Sequence, residues 1–328
     1  MNQFLSVNDV PDLEELIGSA IDYKKTPQRD GELGRHRTLG MVFLNPSMRT
    51  RISTQIAARN LGMDVVVFNA DKEGWQLEFR DGVVMDGSRP EHVREAAAVM
   101  GTYFDILSLR TFPELKDREE DYRETLLHQF RIHAGVPMVS LESATLHPLQ
   151  SLADLVTIRE TWSEKRPPKV VMTWAPHVRA LPQAVPNSFA QWMNRWGKAD
   201  FVITHPVGFE LDPAFTGNAR IEYDQQKALQ GADFIYVKNW SSFRDYGRLS
   251  SDLSWMITAE KLRTTAHGKV MHCLPVRRGV VISDEVLDGP DSIVVRQASN
   301  RVWSAQAVLG AILKAKNKAL QDGKGHPV

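Results

Sequence analysis

Short apolar runs rich in β-branched residues alternate along the chain with longer segments whose apolar residues recur every three or four positions. The short runs fall at residues 41–44, 65–68, 106–109 and 138–141 in the first half, and at 170–173, 201–204, 234–237, 270–273 and 293–295 in the second. Helical spacing marks 52–61, 90–100, 122–133, 149–161 and 302–319. This alternation predicts βα units around parallel sheets. Nine candidate strands suit two sheets better than one, and no internal repeat or low-complexity tract interrupts them. The expected fold is α/β: two doubly wound parallel-sheet domains joined by interdomain helices, with the active site in the cleft. The stretch 149–161 is the natural bridge, because it separates the two strand groups and follows the turn-like Leu146-His147-Pro148. The first domain is then expected over 1–147, with the C-terminal helix 302–328 packed back on it, and the second over 148–301.

The totals change this picture mainly by exclusion. A chain of 328 residues accommodates two domains of ordinary size. Forty Lys plus Arg balance forty Asp plus Glu, so no global field attracts nucleic acid or anionic lipid. The single cysteine, Cys273, forbids an internal disulfide and a multi-cysteine zinc site, and fits a reducing compartment. No apolar stretch approaches the roughly 18 residues that span a bilayer, and the amino-terminal residues lack the pattern of a secretory signal. The reading is a soluble cytoplasmic protein that binds neither nucleic acid nor membrane.

Ligands of open α/β sheets bind beyond the carboxyl ends of the strands, and those ends are rich in polar groups here. The first runs into Asn45-Pro46-Ser47-Met48-Arg49-Thr50-Arg51. Ser47 is a good N-cap, yet arginines follow it at the end of a helix that already carries partial positive charge. A bound anion resolves the conflict, since free N–H groups and Arg forks both suit tetrahedral oxyanions. Without one, Arg49 and Arg51 would simply point into solvent; Arg110, at another strand end, favours the anion. No G-x-G-x-x-G follows a strand and no P-loop is present, so neither a dinucleotide nor a nucleoside triphosphate is expected. His147 and Gln150, in His147-Pro148-Leu149-Gln150, supply donors suited to a developing oxyanion, although a His-Pro pair also serves as an ordinary turn.

Three motifs in order, Ser47-Met48-Arg49-Thr50-Arg51, His147-Pro148-Leu149-Gln150 and His272-Cys273-Leu274-Pro275, resemble the carbamoyltransferases that include the ornithine and aspartate enzymes. The similarity runs over nearly the whole chain. The Asp-x-x-x-Ser-Met-Gly loop with which ornithine enzymes hold free ornithine is replaced by Lys238-Asn239-Trp240-Ser241-Ser242-Phe243. The chain is more similar to the branch that uses an ornithine acylated on its α-nitrogen, through Gly74-Trp75, Met85-Asp86-Gly87, the stretch from Glu142 to Pro148, and Lys238-Asn239-Trp240.

The resemblance implies transfer of the carbamoyl group of carbamoyl phosphate to the δ-amine of N2-succinyl-L-ornithine, giving N-succinyl-L-citrulline and phosphate in arginine biosynthesis, with no metal or organic cofactor. It assigns carbamoyl phosphate to Ser47, Met48, Arg49, Thr50, Trp75, Arg110, His147, Gln150, Cys273, Leu274 and Arg301, of which Arg110, His147 and Gln150 are catalytic. Cys273 and Leu274 would act through backbone carbonyls. Succinylornithine falls to Glu142, His177, Lys238 and Arg278, with Pro90 as the determinant of acyl specificity. In the acetylornithine enzymes an acidic residue follows Met-Asp-Gly, and a fixed carboxylate there would repel a succinyl group by a few kcal/mol in a dry pocket. Pro90 removes that repulsion, though it is equally suited to the first position of a helix over 91–100. The resemblance further implies a homotrimer whose sites are shared between subunits, Trp75 entering a neighbour's site. The alternatives are the same chemistry on N-acetylornithine, or a non-catalytic protein that binds an anion or an amino acid.

Overall fold

The computed structural model describes residues 1–322; the end of the expected helix, 323–328, lies outside the described residues. The chain divides into two compact units, one of Met1–Pro113, Glu119–Leu149 and the chain from Arg301 onward, the other of Glu114–Arg118 and Gln150–Asn300. No helix among the described residues is long and apolar enough to cross a membrane.

The first unit is built on strands β1 (Thr38–Phe43), β2 (Asp64–Asn69), a minor pair β3 (Leu77–Glu78) and β4 (Glu91–His92), then β5 (Ile106–Arg110) and β6 (Met138–Glu142). Four of these form a parallel sheet in the order β2-β1-β5-β6. β1, β5 and β6 are buried almost throughout, as expected for parallel strands covered on both faces. Val42, Leu107, Leu109 and Met138 pack with Val93 and Ala97 of the helix Val93–Tyr103 and with Leu127 and Phe130 of the helix Thr125–His133. The close approach of those helices requires Gly101, where a Cβ would lie 1.7 Å from the Ala134 carbonyl oxygen.

The second unit carries β7 (Lys169–Trp174), β8 (Asp200–Thr204), β9 (Arg220–Glu222), β10 (Phe234–Lys238) and β11 (Lys269–Met271), parallel in the order β11-β10-β7-β8-β9. Its core joins Val171, Val202, Ile235, Val237 and Val270 to Leu229, Ile257 and Val286. Each sheet reverses its winding once, the first between β1 and β5 and the second between β7 and β10. The carboxyl ends flanking such a switch point form a crevice for ligands.

Several sequence expectations give way. Residues 293–295 are no strand: Ser292 makes one isolated bridge to Val270, and the helix Val294–Gln321 begins there, with Gln297 N donating to the Ile293 carbonyl at 2.9 Å. A short apolar run cannot be told from a buried helical turn by periodicity alone. Asn300 and Arg301 therefore lie on a helix, not at a strand end. The expected helix over 122–133 is divided by Glu124, at φ 48°, into Arg118–Arg123 and Thr125–His133. Pro90 does not open a helix, since β4 intervenes and His92 caps the helix at Val93. β9, β3 and β4 are too short to leave a periodic signal.

Candidate active site

In the first unit the switch point gathers charge. β1 leads through Asn45 and Pro46 to Ser47, whose hydroxyl accepts from Thr50 N at 3.3 Å and caps the helix Met48–Asn60. No acidic residue occupies its first turn. β5 ends at Arg110 and β6 at Glu142, register partners at a local irregularity of the ladder. Arg110 Nη1 donates to Glu142 Oε2 at 2.6 Å and lies 3.4 Å from Thr50 Oγ1. His147 Nε2 lies 3.3 Å from the same Glu142 oxygen. Arg301, reaching in from the long helix, donates through Nη2 to Thr50 Oγ1 at 2.7 Å and through Nη1 stands 3.4 Å from His147 Nε2. Thr50, Arg110, Glu142, His147 and Arg301 are all buried. Both guanidinium groups thus converge on Thr50 Oγ1, Arg110 alone is shown donating to Glu142, and Arg110 Nε is buried with no hydrogen-bond partner among the described residues. A buried cationic donor in that state is costly until an anion meets it.

Arg49 sits half-buried in the first helical turn. Arg51 is used differently, stacked over the Phe43 ring and donating to the Asn69 side chain. Glu142, expected with the acylornithine ligands, lies among the residues assigned to carbamoyl phosphate, where it orders Arg110 and His147. Trp75 and Pro90 share one exposed loop region of the same unit. Trp75 Nε1 donates to Glu91 Oε2 at 2.7 Å, and β3 pairs with β4 immediately after Pro90. Glu78, buried, receives the Arg89 guanidinium at 3.1 Å and the Arg80 side chain at 3.1 Å, which fixes the loop on either side of its exposed tip.

In the second unit the carboxyl ends of β7 and β10 are tied together. Asn239 Nδ2 donates to the Ala175 carbonyl at 2.6 Å, Ala175 N to the Lys238 carbonyl at 3.1 Å, and Trp174 Nε1 to the Trp240 carbonyl at 2.8 Å. Trp240 Nε1 in turn donates to the Phe209 carbonyl at 2.8 Å. This bracing fixes the strand end that carries Lys238, whose charge acts on His177. Lys238 is buried, yet no carboxylate pairs with its ammonium among the described residues. His177 is half-buried, and burial pushes its pKa below the ordinary imidazole value, with Lys238, Arg277 and Arg179 adding to the effect against a hydrogen bond to the Arg179 carbonyl. Arg277 is therefore a neighbour of His177 that sequence reasoning missed. Arg278, the arginine expected to meet the acylornithine, forms ion pairs within its own unit, with Nη1 2.8 Å from Asp284 and Nη2 2.7 Å from Asp288. Two adjacent arginines give no sequence signal for which one faces the ligand.

Gln150 begins this unit on the helix Pro148–Thr161 and donates through Nε2 to the buried Asp154 at 2.7 Å. Asp154 also receives Gln297 Nε2 at 2.7 Å, and Gln297 Oε1 accepts from His272 N at 2.8 Å. Cys273 is a buried thiol. Leu274 follows at φ 56° before a cis bond to Pro275, with its N–H on His272 Nδ1 at 2.8 Å. Asp154 and Gln297 were not anticipated, although the four-residue spacing from Gln150 to Asp154 is a helical neighbour relation that sequence can carry.

Two family models match the chain: the aspartate/ornithine carbamoyltransferase carbamoyl-P binding domain over residues 2–160, and the Asp/Orn binding domain of the same enzymes over 183–312. An N-succinylornithine carbamoyltransferase of Bacteroides fragilis is 51% identical over 317 residues, covering 96% of this chain and 99% of its own. An N-acetylornithine carbamoyltransferase of Xanthomonas campestris pv. campestris is 30% identical, covering 95% of this chain and 98% of its own. Among solved structures, acetylornithine transcarbamylase complexed with acetylcitrulline superposes with a TM-score of 0.89 at 31% identity, covering 95% of this chain and 99% of that one.

Proposed function

Because the chain belongs to the aspartate/ornithine carbamoyltransferase family, we propose that it transfers the carbamoyl group of carbamoyl phosphate to the δ-amine of N2-succinyl-L-ornithine, giving N-succinyl-L-citrulline and phosphate. The observation that carries the reading is the buried cluster of Arg110, Arg301, His147 and Thr50, with a cationic donor at Arg110 Nε left for an anion. Phosphate oxygens meet the N–H groups that open the helix at Met48, and the Arg49, Arg110 and Arg301 guanidinium groups. The amine nitrogen attacks the carbonyl carbon, charge builds on the carbonyl oxygen, and His147 with Arg110 stabilises it. Preorganised donors of this kind contribute about 10²–10³ each in rate. The carbon–oxygen bond to phosphate then breaks, and the departing phosphate takes the amine proton. Gln150 and the backbone carbonyls of Cys273 and Leu274 orient the carbamoyl nitrogen and the incoming amine. The reaction needs no metal or organic cofactor.

The first unit takes the role of carbamoyl phosphate domain and the second that of acylornithine domain. Lys238 and Arg277, cations without carboxylate partners among the described residues, suit the two carboxylates of succinylornithine. The amine must lose its proton to react, and these neighbouring positive charges favour that loss. Support for succinyl over acetyl comes from the Bacteroides relative and from Pro90. A glutamate-to-proline variant of N-acetyl-L-ornithine transcarbamylase has been crystallised with carbamyl phosphate and N-succinyl-L-norvaline. The deciding experiment is an assay of citrulline-type product from carbamoyl phosphate with ornithine, N-acetylornithine and N-succinylornithine. Turnover only with succinylornithine is expected; preference for acetylornithine would replace the substrate, and no product with any of them would end the reading.

The active form is a homotrimer whose sites are shared. On the helix Met48–Asn60, Met48, Ile52 and Ile56 are 66%, 51% and 40% exposed, and the edge strand β2 adds Val66 at 47%. An apolar stripe of this kind calls for a partner, and it begins inside the anion-binding turn, so a second copy seated there lies against the site. Trp75, 61% exposed, would reach a neighbouring subunit. Sedimentation of the wild type should give three chains per particle, and a folded monomer carrying Ile52→Lys and Ile56→Glu should be nearly inactive. Full activity in that monomer would refute the sharing.

A further inference from the structure

We propose that Phe112 is a positioning residue for Arg110: its ring is the platform that fixes the plane of the guanidinium and so aims the buried Nε–H at the phosphate. This rests on the carbamoyl-transfer reading above. Arg110 Cζ lies over the Phe112 ring, 4.5 Å from its centroid. The pairing is local in origin. Thr111 N still donates to the Glu142 carbonyl at 3.0 Å, so the extended backbone runs on past the end of β5, and side chains two residues apart leave such a backbone on the same face. Phe112 N lies beyond the ladder and donates instead to Asn45 Oδ1 at 2.7 Å. Asn45 stands two residues before the N-cap Ser47, so one turn both opens the helix at Met48 and holds the platform.

The polar contacts of the guanidinium do not fix its plane by themselves. Nη1 donates to Glu142 Oε2 at 2.6 Å and stands 3.4 Å from Thr50 Oγ1. Bonds made at a single nitrogen leave the group free to turn about them, and stacking on the ring removes that freedom. A planar guanidinium lies flat on an aromatic face, where a compact ammonium would be held but not oriented. With the plane set, Nε has a defined direction; it is buried and without a hydrogen-bond partner among the described residues. The ring also keeps water from one face of the cation, and a charge shielded from water pulls harder on an anion. Asn45 acts at one remove, through the backbone of Phe112.

The test replaces Phe112 in the full-length protein by phenylalanines carrying one, two and three ring fluorines, since each fluorine weakens the negative face of the ring and nearly keeps its shape. Affinity for inorganic phosphate and kcat/KM for carbamoyl phosphate should both fall stepwise along the series, by about tenfold in all, the worth of a desolvated cation–π contact. Phe112→Leu should reach the same end point, and Phe112→Tyr, which keeps the π face, should stay within about twofold of wild type. Asn45→Ala should weaken phosphate binding about threefold, as for one lost hydrogen bond. Combined with Phe112→Leu it should add nothing further, because it acts through the ring. A flat fluorine series would overturn the role of Phe112, and additive losses in the double variant would overturn that of Asn45. Should the leucine variant fail to fold, the fluorine series decides, since it changes the charge distribution of the ring and not its packing. A wild type that makes no citrulline-type product would end the carbamoyl-transfer reading, while phosphate affinity along the series would still decide the stack.

Discussion

Arg110 and Glu142, the last residues of neighbouring parallel strands, meet at 2.6 Å with both side chains nearly buried. The pair holds a guanidinium in place while leaving its Nε without a partner among the described residues. Removing one member of a buried pair exposes the other to an uncompensated charge, a change that costs about 3–5 kcal/mol. Arg110→Met should therefore lower stability by that order in urea unfolding and reduce kcat/KM for carbamoyl phosphate by at least about 10². Normal activity in a folded Arg110→Met protein would exclude Arg110 from the chemistry.

His147 touches both Glu142 and Arg301, so its imidazole is aimed by two partners. His147→Ala should lower kcat by about 10²–10³ with little change in phosphate affinity. A protein that merely stores an anion would show no turnover for this substitution to affect. Rapid-quench turnover together with phosphate binding distinguishes the two.

Arg277 and Arg278 are adjacent, but of the two only Arg278 pairs with carboxylates among the described residues. Arg277→Met should raise KM for succinylornithine by about tenfold or more, the effect expected for one lost charged hydrogen bond. Arg278→Met should leave that KM unchanged, since its guanidinium is held by Asp284 and Asp288. Steady-state kinetics of the two variants side by side settles which arginine meets substrate.

Pro90→Glu should shift the ratio of kcat/KM values toward acetylornithine, because a carboxylate at this exposed loop position would repel a succinyl group. Competition between the two acyl substrates measures the shift, and indifference to the substitution would remove Pro90 from the specificity argument.

His177 titrates below the ordinary imidazole value of 6.5. Its folded pKa is depressed, so protonation favours the unfolded chain; its contribution to stability is present above 6.5 and is lost as pH falls from there through the lower folded pKa. With its pKa below 6.5 the imidazole is more than half neutral at pH 6.5 and increasingly so above it, so KM for succinylornithine should follow its titration mainly below that pH. A two-dimensional NMR titration of the His177 ring, with KM measured across the same pH series, checks both statements.

The sequence by itself determined the alternation of eight principal strands with helices and the pairing of arginines with a helix start. Period and composition are local properties, written wherever both faces of a strand are buried. It also marked His147, Gln150, Lys238 and His177, because each stands at or just beyond a strand end or at the opening of a helix. Only the tertiary structure decided that Glu142 belongs with Arg110 and His147, that Arg277 rather than Arg278 neighbours His177, that Arg301 arrives on a helix, and that Asp154 stands behind Gln150. Those relations depend on strand order and register, and on which neighbour takes each hydrogen bond first. Residues as far apart as Thr50 and Arg301 share a bond only after the chain has closed, and no local pattern encodes such a meeting.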